Sequence, residues 1–285
     1  MKWTRGTQNA DVVDVRGRRG SAARLGGGGA AAVIVVYLVA RVFGVDISGL
    51  VGGGGGGGAP AGTPSEPAPP SGPDPEAEQV DFIRFVMKDI QDTFDGLYRQ
   101  ASKQYRRAQL LVFRDAIDTR CGRSSSAIGP FYCPGDEKAY IDLSFFRDLK
   151  QRFKAPGEFA QAYVLAHEVG HHLQRIEGVP KRGRFGRDRK GADSAAVRQE
   201  LQADCYAGVW GGSANVRKIV EIGDLEAALT AATAIGDDRL QKQAGREVNP
   251  ETFTHGTSAQ RVRWFRRGFE AGRLEACDTF STEEL

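Results

Sequence analysis

From residue 80 onward, apolar positions recur at helical and strand-like spacings in turn. Phe82, Ile83, Phe85, Val86, Ile90, Phe94, Leu97 and Tyr98 fall three or four apart with charges between them, which predicts an amphipathic helix over 80–101. Leu110–Phe113 and Ala139–Asp142 are short apolar runs and predict two strands, the second a candidate edge for pairing with an extended peptide. Between them, the stretch Cys121–Cys133 is rich in Gly, Ser and Pro and reads as a loop. Helical spacing returns over 144–153. Pro156-Gly157 then opens a helix carrying Phe159, Tyr163, Ala166, Val169, His172 and Leu173, which Gly178 and Pro180 end. A basic, glycine-rich loop is expected over 179–192, and further helices over 194–209, 224–235 and 258–271. The expected class is α+β, mostly helical, with a small sheet.

The first 79 residues break this pattern. The run Gly52–Gly58 and the prolines between Pro60 and Pro75 leave too little apolar surface to offset ordering entropy, so 46–79 is expected to be a disordered linker. Ahead of it, Leu25–Ala40 carries no charge and Ala30–Ala40 is continuously apolar. Counted from 25 to 45 the stretch reaches the ~20 residues of a spanning helix, and it is expected to be a single-pass membrane anchor. A cleaved signal peptide fits less well, because the polar lead is 24 residues long and no clear small-x-small site follows. A buried core helix fits less well beside the linker. Arg16, Arg18, Arg19 and Arg24 precede the span and Asp46 follows it, so the positive-inside rule keeps 1–24 in the cytoplasm as a tail. The domain 80–285 is thereby expected outside the cytoplasm, at the periplasmic or cell surface.

Charge narrows the partners of that domain. The formal net charge of the chain is +3, but residues 1–43 carry seven Lys/Arg against two acids and 44–79 carry five acids and no base. The domain is therefore near neutral with its arginines interspersed among acids, unlike the concentrated basic face that nucleic acid demands. All four cysteines, Cys121, Cys133, Cys205 and Cys277, lie in the part expected to be exported, and none forms a C-x-x-C pair. Three pairings are possible. Cys121–Cys133, closing a short loop, with Cys205–Cys277, tying down the C-terminus, is favoured over the others and over four free thiols.

Chemistry concentrates at one helix. The chain holds only four histidines, and three of them, His167, His171 and His172, fall in Ala166-His-Glu-Val-Gly-His-His-Leu173. His167 and His171 are four apart and share a helix face, so both imidazoles reach one ion, while Glu168 stands beside it as general base for water. The uncharged neighbours Val164, Leu165, Ala166, Val169, Gly170 and Leu173 suit a helix buried next to a metal. His172 lies roughly 100° further round and should point into the core or toward the residues supporting the ligands. A hydrolytic zinc takes three protein ligands. Gln174 and Glu177 occupy positions where a metzincin has Gly and His, which excludes that class, and Glu177 projects from another face. The third ligand is sought in Glu200-Leu-Gln-Ala-Asp204, whose two carboxylates are again four apart on a predicted helix. The E-x-x-x-D pattern resembles that of gluzincins, in which the Glu binds zinc and the Asp accepts a hydrogen bond from a ligand histidine. On that resemblance Glu200 is the ligand and Asp204 orients His167. Asp204 as the ligand, in the aspzincin manner, stays open. The fourth histidine, His255, precedes the last helix and is either a donor to a developing oxyanion or part of the helix cap formed at Thr257 or Ser258. Asp237-Asp238 reads by default as a solvent-facing pair.

Together these motifs resemble the bacterial neutral zinc metallopeptidases, single-span membrane proteins with a zincin domain. The resemblance runs through Cys121-Gly122, Gly129–Pro134, Ala139–Asp142, Ala162–His172, Arg198–Gly208, Ile235–Asp238, Phe253–Arg261 and Cys277–Phe280, and weakly through Trp3 and Arg16-Gly17. It implies a zincin-like fold, bound Zn²⁺ and cleavage of a peptide or protein substrate. Thr254-His255 with Arg261 also resembles the membrane gluzincins that process prenylated or misfolded proteins, from which this chain departs by its one expected span. The expected function is a membrane-anchored zinc endopeptidase with Glu168 and His255 as its catalytic groups. The competing reading is a catalytically silent, zinc-stabilised binding or chaperone-like module at the cell envelope.

Overall fold

The structure is a computed structural model and describes residues 1–17, 73–179 and 191–285. The expected span 25–45, most of the linker and most of the loop 179–192 lie outside the described residues. Among the described residues, no helix is long and apolar enough to cross a membrane. The fold is α+β and mostly helical. Among the described residues six strands, β1 (Val12–Asp14), β2 (Gln109–Phe113), β3 (Ala116–Thr119), β4 (Gly122–Ser125), β5 (Phe131–Cys133) and β6 (Lys138–Asp142), accompany seven helices. These are α1 (Ala77–Gln100), α2 (Ser144–Gln151), α3 (Glu158–Ile176), α4 (Ala195–Val216), α5 (Asp224–Ala234), α6 (Asp237–Gln243) and α7 (Ser258–Ala271).

The sheet has the order β1-β2-β6-β5, with β1, β2 and β6 parallel and β5 antiparallel to β6, while β3 and β4 form a separate hairpin. Two expectations change here. Ala139–Asp142 is not an edge: β6 is bonded to β2 on one side and β5 on the other, so the sheet's edges are β1 and Phe131–Cys133. That position suits β6, whose Ala139, Tyr140, Ile141 and Asp142 are all buried. Residues 1–17 are not a tail apart from the domain, because Val12 pairs with Leu110 and Asp14 with Val112 in register. The domain therefore recruits the N-terminus and its first helix begins at Ala77 rather than 80.

The core forms where the helical stripes meet. Ile83, Val86, Met87, Ile90 and Phe94 of α1 are inaccessible to solvent, as the spacing requires. α4 is different, since nearly every residue from Leu201 to Gly212 is buried, as in a helix surrounded on all sides. Its neighbours approach so closely that side chains are excluded. A Cβ on Gly208 would stand 2.0 Å from the Phe265 carbonyl oxygen, and one on Gly268 of α7 would stand 1.9 Å from that of Cys205. Disulfides Cys121–Cys133 and Cys205–Cys277 both form. The second holds the C-terminal segment on α4, where Gln202 Nε2 donates to the Cys277 carbonyl at 3.0 Å.

This packing separates glycines that are needed from one that is not. Gly208→Ala must push α4 and α7 apart and should lower stability by about 1–3 kcal/mol or abolish folding. Gly96→Ala, on α1 with nothing within 4 Å of its Cβ, should raise stability by about 0.5–1 kcal/mol through helix propensity. Urea or thermal melts of the two variants side by side measure the contrast.

Candidate metal centre

α3 carries His167 and His171 on one face, and α4 brings Glu200 against them. The three residues offer ligand atoms all within 4.8 Å of one another. Glu200 uses both oxygens: Oε2 lies 3.2 Å from His167 Nε2, and Oε1 lies 3.5 Å from His171 Nε2. For zinc bonds of ~2.0–2.1 Å, tetrahedral geometry sets neighbouring ligand atoms ~3.3–3.4 Å apart, close to the spacing of Glu200 from each histidine. Two imidazoles and a carboxylate are also a donor set that zinc takes in hydrolytic sites. The helices can come together here because Gly170 has no side chain; a Cβ there would lie 2.9 Å from the Ala203 Cα.

Each imidazole is held from behind. His167 Nδ1 donates to Asp204 Oδ1 at 2.8 Å, which leaves Nε2 facing the ligand cluster. Asp204 has no solvent exposure and is not among the clustered donors. Its oxygens are taken by His167, by the Tyr163 hydroxyl at 2.6 Å, and by Arg261 through Nε at 2.8 Å and Nη2 at 2.9 Å. The geometry therefore places Glu200 with the histidines and Asp204 behind His167. His171 Nδ1 donates to Gln174 Oε1 at 3.0 Å, and Gln174 Nε2 donates to the Gln199 carbonyl at 2.6 Å. Gln174, noticed in the sequence only as a departure from metzincins, is thus the partner of the second histidine.

His172 points away from the cluster into the core. Its Nε2–H donates to the Arg106 carbonyl at 2.6 Å and its Nδ1 accepts from the Tyr132 hydroxyl at 3.1 Å, tying α3 to the edge strand β5. Glu168 is buried, 7 % exposed, and makes no hydrogen bond or ion pair among the described residues. Burial raises its pKa, with Glu200 adding to the rise against the opposing pull of His171 and His167.

His255 lies near enough to Glu200 for their charges to interact, its side chain 35 % exposed. The N-cap of α7 is Thr257, in a capping box with Gln260, so the helix cap does not require His255. Asp237 holds it instead. That residue is 9 % exposed rather than solvent-facing; its Oδ2 accepts the backbone N–H groups of Thr254 at 2.7 Å, His255 at 2.6 Å and Gly256 at 3.1 Å. Its Oδ1 lies 3.3 Å from His255 Nδ1. Asp238 is used as well, accepting from the Ser258 N–H and hydroxyl, both at 2.8 Å. Burial alone would lower the His255 pKa, but the Asp237 hydrogen bond and the charge of nearby Glu200 outweigh it and raise the pKa.

Comparison with known proteins agrees with this geometry. The family model described as "Putative neutral zinc metallopeptidase" matches residues 1–280. The chain belongs to this family. Its relatives include the Escherichia coli K12 "Uncharacterized protein YpfJ", 41 % identical over 98 % of this chain and 99 % of that protein. Another is the Mycobacterium tuberculosis H37Rv "Uncharacterized protein Rv2575", 43 % identical over 72 % of this chain and 74 % of that one. No solved structure matches significantly. The family match begins at residue 1, consistent with an N-terminus that supplies a strand to the sheet.

The supporting groups yield two expectations. Arg261→Met strands a fully buried carboxylate, which should cost about 3–5 kcal/mol and weaken zinc retention; Asp204→Asn should weaken zinc binding about 10–100-fold, read by competition with a chromogenic chelator. The pH dependence has a fixed sign. Burial opposes the charged form of His167, but Asp204 and Glu200 outweigh it and hold its pKa up at about 10 in the metal-free protein. That stabilisation is complete below the unfolded value of 6.5 and fades as pH climbs through about 10. Melts of chelator-treated protein should therefore fall across that window, while zinc uptake, which must displace the proton, strengthens and releases protons measurable by calorimetry in two buffers.

Proposed function

We propose that this protein is a zinc-dependent endopeptidase with a zincin-like site, His167, His171 and Glu200 holding the metal. The observation that carries the reading is the conjunction of a compact cluster of two imidazoles and a carboxylate with a buried Glu168, unpaired among the described residues, on the same helix as the two histidines. A purely structural zinc would want four protein donors, whereas three are grouped here among the described residues. Zinc, when bound, supplies Lewis-acid chemistry that acidifies water and polarises a carbonyl.

The chain's own groups divide the remaining work. Glu168, lifted in pKa by burial, takes the proton from the attacking water and delivers it to the leaving amine nitrogen. His255, whose pKa Asp237 helps to raise, donates to the carbonyl oxygen as negative charge develops there. An extended substrate has the open edge of β5 available for main-chain pairing, and Tyr132 on that strand is anchored to His172 next to a ligand histidine. The proposed setting is the extracytoplasmic side of the cell membrane, with attachment through the apolar stretch 25–45. Both disulfides favour an oxidising compartment.

Glu168→Gln tests the reading. The variant should keep about one zinc per chain yet lose 10²–10⁴-fold or more of the cleavage of an unfolded protein such as casein. Asp237→Asn should lower kcat by about tenfold or more with little change in zinc content, since Asp237 holds the His255 loop and bonds to none of His167, His171 and Glu200. If the wild-type protein carries zinc and cleaves no more than Glu168→Gln across unfolded, lipid-linked and native envelope substrates, the silent binding module replaces the enzyme.

A further inference from the structure

The N-terminal segment meets the body of the protein along a continuous seam. The Lys2 N–H donates to the Ile219 carbonyl at 2.8 Å, and the Trp3 indole N–H donates to Glu158 at 2.8 Å while its ring stands edge-on to Phe82, centroids 5.5 Å apart. Asn9 Nδ2 donates to the Arg84 carbonyl at 3.1 Å, and Arg107 Nε donates to Asp11 at 2.7 Å. β1 then pairs in parallel with β2. Immediately before the undescribed stretch, Arg16 closes on Asp14 at 2.7 Å, Asp74 at 2.6 Å and Glu76 at 2.7 Å, with its side chain only 10 % exposed. One guanidinium thus holds the residues on both flanks of 18–72.

A bilayer's hydrocarbon core is about 30 Å thick. A segment that crosses it once delivers its flanks to opposite faces, where a 2.6 Å ion pair and a three-residue strand pairing between them do not form. Backbone hydrogen bonds, a partly buried Trp ring and a threefold-paired arginine make this seam a part of the fold rather than a surface encounter. We propose that Met1–Gly17 and Asp74–Leu285 occupy the same side of the membrane, the oxidising side on which Cys121–Cys133 and Cys205–Cys277 form. The orientation expected from charge is thereby reversed for the N-terminus. That expectation counted Arg16 as a residue retained in the cytoplasm, whereas the fold commits it to three carboxylates of the domain. The proposal is independent of the metal site and of the peptidase reading.

The test uses the full-length protein in its own membrane, where both cysteine pairs are engaged and give little background. Exposed Gln8 and Glu283 are each replaced, Gln8→Cys and Glu283→Cys, and spheroplasts are treated with a membrane-impermeant maleimide before and after lysis. Both variants should label to the same extent in intact spheroplasts. Labelling of Gln8→Cys only after lysis, with Glu283→Cys labelled before it, overturns the proposal, and labelling of both only after lysis overturns the assignment to the oxidising side. A double variant, Val13→Cys with Leu111→Cys, joins register partners of β1 and β2. It should yield a faster, reducible band on non-reducing gels of the same membranes; its absence means that β1 is not docked there.

Discussion

Asp204 is a carboxylate with no access to water at the junction of three helices, and the geometry of the metal centre hangs on how its charge is met. Burying an anion costs several kcal/mol unless a cation and hydrogen-bond donors replace its hydration. Here α7 supplies Arg261 in a two-pronged pair, and α3 supplies the Tyr163 hydroxyl and the His167 Nδ1–H. Each donor has to arrive at its own angle, so satisfying one carboxylate fixes α3, α4 and α7 relative to one another. Glu200, one turn before Asp204 on α4, is then delivered to the open nitrogens of His167 and His171 as a consequence.

The helices reach these positions only because their contact surfaces are stripped of side chains. Gly170 admits α4 to the ligand helix, and Gly208 and Gly268 let α4 and α7 touch backbone to backbone. The Cys205–Cys277 disulfide and the pairing of Arg198 with the Thr282 carbonyl at 2.8 Å hold the C-terminal segment over the same helix. Close approach and buried charge are complementary: the glycines set the distance at which Arg261 and Asp204 become direct partners. A second carboxylate, Asp237, organises the other wall by gathering three successive backbone N–H groups around His255.

Much of this was legible beforehand, and the exceptions have physical causes. Helical periodicity located α1, α3 and α7 to within a few residues, because a helix with one buried face repeats its apolar positions. α4 was expected to stop at 209 but runs to Val216, since a helix buried all round has no such periodicity to read. The hairpin β3–β4 escaped because Gly122–Ser125 has no alternation of apolar and polar residues. β1 escaped because its three residues lie within a polar, charged lead, and only its pairing with β2 shows what Val12 is for. Gln174, Arg261 and Asp237 are polar residues on amphipathic or mixed segments. Their importance comes from what they face, which spacing along one helix does not specify.

The sequence by itself marked the candidate chemistry: a helix of period 3.6 puts His167 and His171 on one face and Glu168 beside them, and those residue types suit zinc and a general base. It also determined the mostly helical class and favoured the pairing of Cys121 with Cys133 among three possible, on their short separation. Only the tertiary structure grouped Glu200 rather than Asp204 with the two histidines, put β5 rather than β6 at an edge of the sheet, turned Asp237 inward, and joined the N-terminus to the domain. All four are relations between elements distant in the chain. They are fixed by the need to satisfy buried charges and backbone groups once the helices close, and a local pattern carries no record of that closure.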